Sequence, residues 1–459
     1  MNQNRDGDKR MQLFYRYVED HVDVFIRELQ VLLREMSIYT NTFGINSTAN
    51  FLESHLQRIG CRVQRVVIDD SKPYLYGEIG EGPMTVLFYN HYDVQPVDPP
   101  SLWDYGPFLA EVHEGYLYAR GAADSKGNLY TRLAAVESYL KVFKELPCRV
   151  KFLFDGEEEV GSPNIARLIQ EHPDFVEADV CVWESGFIDQ EGRPSVSFGL
   201  KGLVYLELRC QILPSDIHSA WATVIENPAW RLIHALASLR DGQGRITVDG
   251  VMDHVAALTK EERRLVESME IDLETYKELF GVKEFMAIGK SETLPQRLLF
   301  SPSANICGIH AGYTDAESKT ILPHAAWANL DFRLVPDLDP EMLVKLLRAH
   351  LAKRGYHDVE IKVKCAIPCY RYQPDEEFID RIRQSSRETF HAAPLFLPML
   401  GASGPMHVVC APRRLPVMAF GIAHAGSHIH APNENIRVHD FIQGIKFIGR
   451  MLDLSARRD

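Results

Sequence analysis

The pattern of hydrophobic and polar residues in the first part of the chain predicts helices that alternate with short strands. Residues 24–36 and 47–60 carry apolar side chains at helical spacing, and Ser47 is placed to cap the second of these helices. The continuous apolar run at 84–94 is typical of a strand that is covered on both faces, and helical spacing returns at 128–145. Because helices separate the strands, we expect the strands to form a largely parallel sheet.

Near residue 198 the pattern changes to one typical of a sheet with one face in water. Apolar and polar residues alternate over 203–212 and again over 325–335. After residue 373 a long helix and apolar strands return. We therefore predict a larger α/β domain, with a mostly parallel sheet flanked by helices, that is interrupted by a smaller α+β domain. The predicted limits are 1–197 and 374–459 for the two parts of the larger domain and 198–373 for the insertion.

Length and composition support two domains of an ordinary globular protein. The chain has 459 residues, more than the roughly 250–300 at which a single core stops growing. Its formal net charge of −13 argues against nucleic acids and anionic membranes as partners, because both attract basic surfaces. No apolar run approaches the roughly 18–20 residues of a membrane span, and the polar N-terminus lacks the apolar core of a signal peptide. The eight cysteines show no paired spacing, so we expect free thiols and a cytoplasmic location.

Acidic and histidine side chains occur where predicted strands of the larger domain end. In open α/β sheets, ligands bind at this carboxyl edge. Each such residue alone has an ordinary explanation: a histidine is often a hydrogen-bonded loop residue, an aspartate before a helix is often a cap, and a glutamate run is often solvated. Together they all follow apolar sequence toward one edge, which indicates a site. The candidate residues are His91, Asp93, Asp124, Glu157, Glu158, Glu159, Glu184, His428, His430 and Glu434.

These residue types fit a pair of divalent metal ions. Two histidines, one aspartate and two glutamates form a ligand set without thiolates that suits ions such as zinc. Two ions roughly 3.5–4 Å apart polarise a carbonyl and lower the pKa of a shared water. A further carboxylate must then take the proton from that water, and three consecutive glutamates provide room for a ligand and a base side by side. The sequence therefore predicts a metal-dependent hydrolase.

The motifs that contain these residues resemble those of the M20 family of metallopeptidases, which includes carnosine dipeptidases, glutamate carboxypeptidases and aminoacylases. The motifs HYDVQP, ARGAADSKG, DGEEEVGS, DIHS, SKTILP, FRLVP and HAPNE occur in the order of that family over nearly the whole chain. Of the branches of this family, the dipeptidase-like branch has the motifs that these resemble most. The resemblance implies a catalytic domain of the di-zinc exopeptidase type and an inserted lid domain that forms the interface of a homodimer.

The resemblance also implies which residues bind the metal ions. His91 and Glu184 correspond to the ligands of the first ion, and Glu159 and His430 correspond to those of the second. Asp124 corresponds to the carboxylate that bridges both ions. The expected cofactors are two divalent ions per subunit, zinc in first place, with manganese or cobalt as alternatives.

The remaining residues of the catalytic motifs receive supporting or chemical roles from the same resemblance. Asp93 corresponds to the aspartate that orients the first histidine, and Glu158 to the general base. Glu157 then lies outside the motif, as a supporting or solvated residue. The peptide bond between Asp124 and Ser125 is expected to be cis, as it often is in this family.

The inserted domain contains the predicted substrate-binding residues. His218 resembles the lid histidine that reaches the active site of the partner subunit and stabilises the oxyanion. Arg333 and Thr320 fall on positions that bind the carboxylate of the substrate, although an edge-strand charge and a cap are the ordinary explanations for them. Ser403, in GASGP, and Asn305, in NICGI, are further candidates for substrate contact.

Three departures from the family pattern bear on the substrate. Residue 184 is Glu, where dipeptidases of the family usually have Asp, and Glu resembles the carboxypeptidase and deacylase members. The sequence DIHSAWAT replaces a Gly-rich continuation and places Trp221 near the lid histidine, while GASGP replaces Gly-Gly-Ser-Ile-Pro. A dipeptidase needs an anionic acceptor for the free amine, for which Glu434 and Glu111 are candidates, whereas Trp221 would suit an apolar acyl group.

We therefore expect a two-metal hydrolase that cleaves an amide bond next to a free carboxylate, as a dipeptidase or a carboxypeptidase-like peptidase. The alternative is an N-acyl-amino-acid deacylase, or another linear amidohydrolase, with the same mechanism. A third hypothesis is a binding protein that has kept the fold without the chemistry. Loss of Glu158 or of a metal ligand would be its signature, and the sequence retains all of them.

Overall fold

The computed structural model describes residues 2–267, 269, 273–286 and 293–455. These residues form two compact units. The first contains the chain up to Gly199, Tyr372–Leu397 and the chain from Val408 onward, and the second contains Leu200–Arg371 and Pro398–His407. This arrangement confirms the fold class predicted from the sequence, an α/β domain interrupted by a smaller α+β domain.

One segment differs from the predicted limits. Residues Pro398–His407 belong to the second unit, whereas the predicted limits place them in the larger domain. The backbone N–H of Lys201 donates to Leu400 and Ala402, and the Ser403 hydroxyl donates to the carbonyl of Gly202 at 3.0 Å. These bonds attach the segment to the beginning of the insertion.

The elements of the first unit before the insertion alternate between helices and strands. In chain order they are α1 (Asn2–Asp20), α2 (Val22–Arg34), α3 (Thr42–Arg58), β1 (Arg62–Val66), β2 (Tyr74–Ile79), β3 (Thr85–His91), β4 (Glu111–His113), β5 (Tyr116–Tyr118), α4 (Lys126–Phe143), β6 (Arg149–Asp155), α5 (Ile165–Glu171), β7 (Val180–Trp183), β8 (Ser195–Ser197) and β9 (Gly199–Leu200).

The insertion and the returning chain contain the remaining elements. In the insertion they are β10 (Gly202–Gln211), β11 (Ile217–His218), α6 (Pro228–Ala237), α7 (Lys260–Glu267), α8 (Leu273–Phe280), α9 (Leu294–Phe300), β12 (Ser303–Ala311), β13 (Ile321–Leu322), β14 (Ala325–Leu334), α10 (Pro340–Lys353), β15 (Glu360–Ile367) and β16 (Tyr370–Arg371). The chain then continues with α11 (Glu376–Thr389), β17 (Leu395–Leu397), α12 (Met406–Cys410), β18 (Val417–Ala419), β19 (Asn435–Arg437) and α13 (Val438–Ser455).

The helix predicted at 47–60 begins earlier than its apolar pattern indicates. The helix α3 begins at Thr42, and the side chain of Asn41 accepts a hydrogen bond from the N–H of Gly44 at 3.2 Å. Asn41 is therefore the N-cap, and Ser47 lies inside the helix. Asparagine and serine cap helices about equally well, so the apolar residues alone did not identify the first turn.

The sheet of the first unit has the strand order β1-β2-β6-β3-β7-β18-β8-β17. Its central strands β6, β3, β7 and β18 run parallel to their neighbours in that group. In the pairing of β3 with β6, His91 lies opposite Asp155, so the two strands end at the same level. The chain therefore leaves β3, β6 and β7 at one edge of the sheet, where His91 ends β3 and where Glu159 and Glu184 follow β6 and β7.

The second unit contains a four-stranded antiparallel sheet with the order β12-β14-β10-β15. Alternate residues of β10 are buried, including Val204, Leu206 and Leu208, and they form one core with apolar residues of α6 and α10. The intervening residues of β10 are half-exposed. The alternation predicted from the sequence is thus present, with one face of the sheet packed against helices. Among the helices that the structure describes, none has the length and apolar character needed to cross a membrane.

Candidate active site

Four of the predicted metal ligands contact one another directly at the carboxyl edge of the sheet. The Nε2 atom of His91 lies 3.1 Å from Oδ1 of Asp124, and Nε2 of His430 lies 3.0 Å from Oδ2 of the same aspartate. The same atom of His430 is 3.2 Å from Oε2 of Glu159. Asp124 therefore presents one carboxylate oxygen to each histidine, which is the arrangement expected of a residue that bridges two ions.

The fifth predicted ligand, Glu184, follows strand β7 and is buried. Its Oε2 atom accepts hydrogen bonds from the N–H of His91 at 2.6 Å and from the hydroxyl of Ser125 at 3.3 Å. The same oxygen is 4.0 Å from Nε2 of His91. Glu184 thus lies beside His91.

The loop that carries Asp124 leaves its carboxylate free of the adjacent helix. The N-cap of α4 is Ser125, and its side chain makes no hydrogen bond with the first turn of the helix. Asp124 is therefore not the helix cap that its position before α4 suggests. The peptide bond between Asp124 and Ser125 is cis, as predicted.

Asp93 holds two parts of the site together. Its carboxylate accepts hydrogen bonds from the N–H of Glu158 at 3.2 Å and of Glu159 at 3.0 Å. The Nδ1 atom of His91 lies 3.0 Å from the carbonyl oxygen of Asp93 and 3.4 Å from its carboxylate. A partner at Nδ1 fixes the tautomer that leaves Nε2 of His91 available to a metal ion.

A residue that the sequence reasoning missed also contacts this loop. The side-chain amide of Gln95 donates to Oε2 of Glu159 at 2.8 Å. Gln95 lies inside the HYDVQP motif, only four residues after His91, and this position was the available signal. Its amide orients Glu159, whose other oxygen then remains for a ligand.

Glu157 is a supporting residue and is not solvated. Its side chain is fully buried and accepts hydrogen bonds from the hydroxyl of Tyr74 at 2.5 Å, the N–H of Lys72 at 3.2 Å, and both the N–H and the side-chain amide of Asn164. Because its partners are Tyr74, Lys72 and Asn164, Glu157 anchors the loop that contains Glu158 to neighbouring segments.

The electrostatics of the cluster show an excess of negative charge. Burial raises the pKa of Glu184 to about 8. Burial alone would raise the pKa of Asp124. Hydrogen bonds with His430 and His91 nevertheless hold this pKa well below its usual range. Burial likewise opposes protonation of His430, but its contacts with Asp124 and Glu159 raise its pKa to about 10. Without a metal ion, protons on the imidazoles balance the carboxylates, and bound cations would replace these protons.

The residues of the cluster fit divalent metal ions. One ligand atom from each of His91, Asp124 and Glu159 lies within 4.8 Å of the others. The Oε1 atom of Glu159 is buried and has no hydrogen-bond partner within the described part of the chain, which is unusual for a buried carboxylate oxygen. Imidazole and carboxylate donors without a thiolate suit zinc, manganese and cobalt.

A second acidic group with similar spacing does not have this character. Glu28, His55 and Glu137 also lie close together. Arg58, however, donates to Glu28 at 2.8 Å and to Glu137 at 3.3 Å. A cation of the chain already balances these carboxylates, so we interpret the group as an ion-pair cluster that joins α2, α3 and α4.

The comparisons with known proteins identify the family. The sequence model of peptidase family M20/M25/M40 matches residues 87–454. The chain belongs to this family. It is 28% identical to human Beta-Ala-His dipeptidase over 374 residues, which are 74% of this chain and 71% of the relative. It is 25% identical to the Cys-Gly metallodipeptidase dug1 of Schizosaccharomyces pombe over 458 residues, which are 94% and 95% of the two chains.

A solved structure supports the same family. The crystal structure of the M20 family metallo-carboxypeptidase Sso-CP2 from Sulfolobus solfataricus matches with a TM-score of 0.89 and 36% sequence identity, and the match covers 94% of this chain and 99% of that one. The resemblance read from the motifs is therefore confirmed. This M20 protein is a metal-dependent peptide hydrolase.

Two of the predicted substrate-binding residues lie together on the sheet of the second unit. Asn305 of β12 pairs with Asp331 of β14 and donates to its carboxylate at 2.9 Å, and Nε of Arg333 lies 3.7 Å from the same carboxylate. Since β14 is an interior strand, the explanation of Arg333 as an edge-strand charge is wrong. Asp331 was not predicted, and it connects the two candidates.

The other three candidates of the second unit have separate surroundings. Exposed His218 ends β11, and its Nδ1 accepts from the N–H of Ala220 at 3.1 Å. Thr320 directly precedes the short strand β13 and caps no helix, so the ordinary explanation of it as a cap is also wrong. Its carbonyl accepts from the N–H of Ser219, which places it beside His218. The Ser403 hydroxyl is bonded to the backbone of the second unit, as described above.

The candidates for the amine side of the substrate differ in accessibility. Glu434 is fully buried, and each of its carboxylate oxygens accepts two hydrogen bonds from the protein. It has no oxygen left to receive a substrate ammonium. Glu111 is half-exposed on β4, and Trp221 is 56% exposed.

Proposed function

We propose that this M20 protein is a dipeptidase with two divalent metal ions per subunit, zinc in first place and manganese or cobalt as alternatives. The observation that carries the proposal is the position of Asp124 between the two histidines, with Glu159 in contact with His430 and Glu184 in contact with His91. Relatives whose names describe dipeptidases align with almost the whole chain, which supports a small peptide as the substrate.

The chain's residues divide into two sets of metal ligands in this proposal. His91 and Glu184 would hold one ion, His430 and Glu159 would hold the other, and Asp124 would contact both. When bound, such a pair polarises the carbonyl of the scissile bond and makes a water molecule more acidic.

Glu158 is the proposed general base. It is buried close enough to His91, Glu184 and Asp124 to interact electrostatically with all three. Burial raises its pKa well above the usual range, so the carboxylate accepts a proton readily. Asp93 fixes its backbone N–H. Glu158 would take a proton from the attacking water and donate it to the leaving amine.

The residues of the second unit would bind the substrate and the oxyanion. Arg333 carries a guanidinium that suits bidentate binding of a carboxylate, and Thr320, Ser403 and Asn305 would supply further polar contacts. His218 would donate a hydrogen bond to the oxyanion in the site of the partner subunit.

A homodimer formed through the second unit is part of the proposal. The strand β12 is the outermost strand of its sheet, and its residues Ile306 and Ile309 are exposed. On α6, Trp230 and Ile233 are also exposed. Outer strands and exposed apolar residues are common at interfaces between protein chains.

Mixing two inactive variants tests the contribution of His218 across this interface. We expect Glu158→Gln and His218→Ala subunits to regain activity when they are dissociated and reassembled together. A mixed dimer then contains one site with an intact Glu158 and an intact His218 from opposite chains. Each variant reassembled alone is the control. If the mixture stays as inactive as its components while native mass spectrometry shows mixed dimers, His218 does not act in the partner's site.

A carboxypeptidase is the second candidate, because the structure matched at 36% identity is described as a metallo-carboxypeptidase. Both candidates require a free carboxylate next to the scissile bond. They differ in their need for a free amine, and the burial of Glu434 removes one predicted acceptor for that amine.

A substrate screen tests the proposal. We expect dipeptides to be hydrolysed, with N-acetylated dipeptides and N-acyl amino acids slower, and we expect a chelator to abolish turnover until zinc, manganese or cobalt is added back. Faster hydrolysis of N-blocked peptides would favour the carboxypeptidase. Turnover restricted to N-acyl amino acids would contradict both and support the deacylase. The proposed location is the cytoplasm, which fits the eight free cysteines.

A further inference from the structure

Glu434 is a fully buried carboxylate that contacts the backbone of the Asp124 loop. Its Oε1 atom accepts hydrogen bonds from the N–H of Ala123 at 2.9 Å and of Asp124 at 3.0 Å. Its Oε2 atom accepts from the N–H of Gly121 at 3.0 Å and from the guanidinium of Arg120 at 2.7 Å. Three backbone amides of one loop thus converge on a single side chain.

The backbone of Glu434 is attached to the same loop. Its carbonyl accepts the N–H of Ala119 at 3.0 Å, and the next residue, Asn435, begins strand β19, which pairs with β5. Backbone and side-chain hydrogen bonds therefore join the loop that contains His430 and Glu434 to the loop that contains Asp124. His430 contacts the side chain of Asp124, and Glu434 contacts its backbone.

Arg120 balances the charge of Glu434 and extends the contact to a third loop. Its guanidinium is buried, lies over the ring of Trp103, and donates to the carbonyl of Pro96 at 3.0 Å. Pro96 follows Gln95, whose amide holds Glu159. The Arg120–Glu434 pair therefore connects the loops that carry the bridging aspartate and the proposed ligands of the second ion.

We propose that Glu434 is a positioning residue that fixes Asp124 relative to both metal positions. The two carboxylate oxygens of Asp124 face different histidines, at 3.1 and 3.0 Å, so a tilt of its peptide would misplace both at once. Glu434 prevents this tilt by holding the N–H groups on the N-terminal side of Asp124. The inference rests on the proposed two-metal function and assigns Glu434 a role other than binding the substrate amine.

The test is the affinity of Glu434→Gln for zinc. Glutamine has nearly the same shape, but its NH₂ group would face N–H donors, so one pair of contacts is lost. We expect the dissociation constants of both ions to rise about 10–100-fold, as measured by competition with a chromophoric chelator. We also expect the variant at saturating zinc to keep the wild-type KM for dipeptides.

A matched control separates positioning from general stability. Glu388→Gln also removes a carboxylate partner of a buried arginine, since Glu388 accepts from Arg450 at 2.8 Å, and it lies outside the site. Asp453 remains as the second carboxylate partner of Arg450. We expect this control to lower the Tm of the metal-free protein and to leave zinc affinity unchanged. Wild-type zinc affinity in folded Glu434→Gln would overturn the inference, as would a raised KM without any change in affinity.

A second variant keeps the inference testable if glutamine at 434 prevents folding. In Arg120→Lys the positive charge remains. A single ammonium group, however, cannot reproduce the two hydrogen bonds that the guanidinium donates to Glu434 and to the carbonyl of Pro96. We expect weaker binding of both ions again, and unchanged affinity in this variant overturns the inference. If the variants and the wild type bind two ions equally well, the inference about Glu434 is wrong but the two-metal proposal stands. Wild-type protein that binds no zinc would overturn both.

Discussion

Replacement of Glu158 by glutamine is expected to lower kcat by about 10²–10⁴-fold while the enzyme keeps its metal ions. Glutamine preserves the size of the side chain and the backbone contact with Asp93. It cannot take a proton from the attacking water, so the effect falls on the chemical step. The measurement is kcat and KM for a dipeptide, together with metal content by atomic emission on the same sample.

The control for this variant is an exposed glutamate outside the site. Glu171→Gln makes the same change at an exposed residue paired with Arg167, and we expect normal activity. A Glu158→Gln enzyme with nearly normal kcat would contradict the assignment of the base. Loss of metal together with activity would instead place Glu158 among the ligands.

Asp124→Ala is expected to remove both metal ions and all metal-dependent activity. The reason is that each oxygen of Asp124 faces a different histidine, so no other residue of the cluster serves both positions. By contrast, Glu159→Ala and Glu184→Ala should each lose one ion and retain the other. Equilibrium dialysis against zinc at a concentration that saturates the wild type measures the number of ions bound.

An aspartate at the opposite edge of the same sheet provides the control. Asp179 accepts the N–H of Thr85, the first residue of β3, at 2.7 Å. We expect Asp179→Ala to bind two ions. A folded Asp124→Ala protein that still binds one ion with wild-type affinity would show that Asp124 does not bridge.

The sequence was sufficient to predict the parallel sheet and the cluster of acidic and histidine residues at its edge. A buried strand such as β3 leaves a continuous apolar run, and parallel strands end at one edge, so the positions of His91 and Glu184 at that edge are predictable from pattern alone. The roles of the three consecutive glutamates could not be predicted in this way. Spacing alone does not separate Glu157 from Glu158, and that separation came from the resemblance to the family.

Other features depend on contacts between distant segments. Glu157 was left as either supporting or solvated because its partners Tyr74 and Asn164 are remote or outside the motif. Glu434 was a candidate for the substrate amine because its motif places it near His430, but the motif does not give the direction of its side chain. Arg333 was considered as an edge charge because strand order is a property of the folded sheet.

The segment Pro398–His407 is a further example. Hydrogen bonds from the backbone of Lys201 and from the hydroxyl of Ser403 attach it to the beginning of the insertion. Short loops without a periodic pattern carry little information about which domain they join.

The anomalous scattering of zinc in crystals of the wild-type enzyme tests the central claim most directly. We expect two peaks, one on each side of the Asp124 carboxylate. One lies beside His91 and Glu184, and the other lies beside His430 and Glu159. A single peak, or peaks that Asp124 does not contact, would contradict the two-metal site.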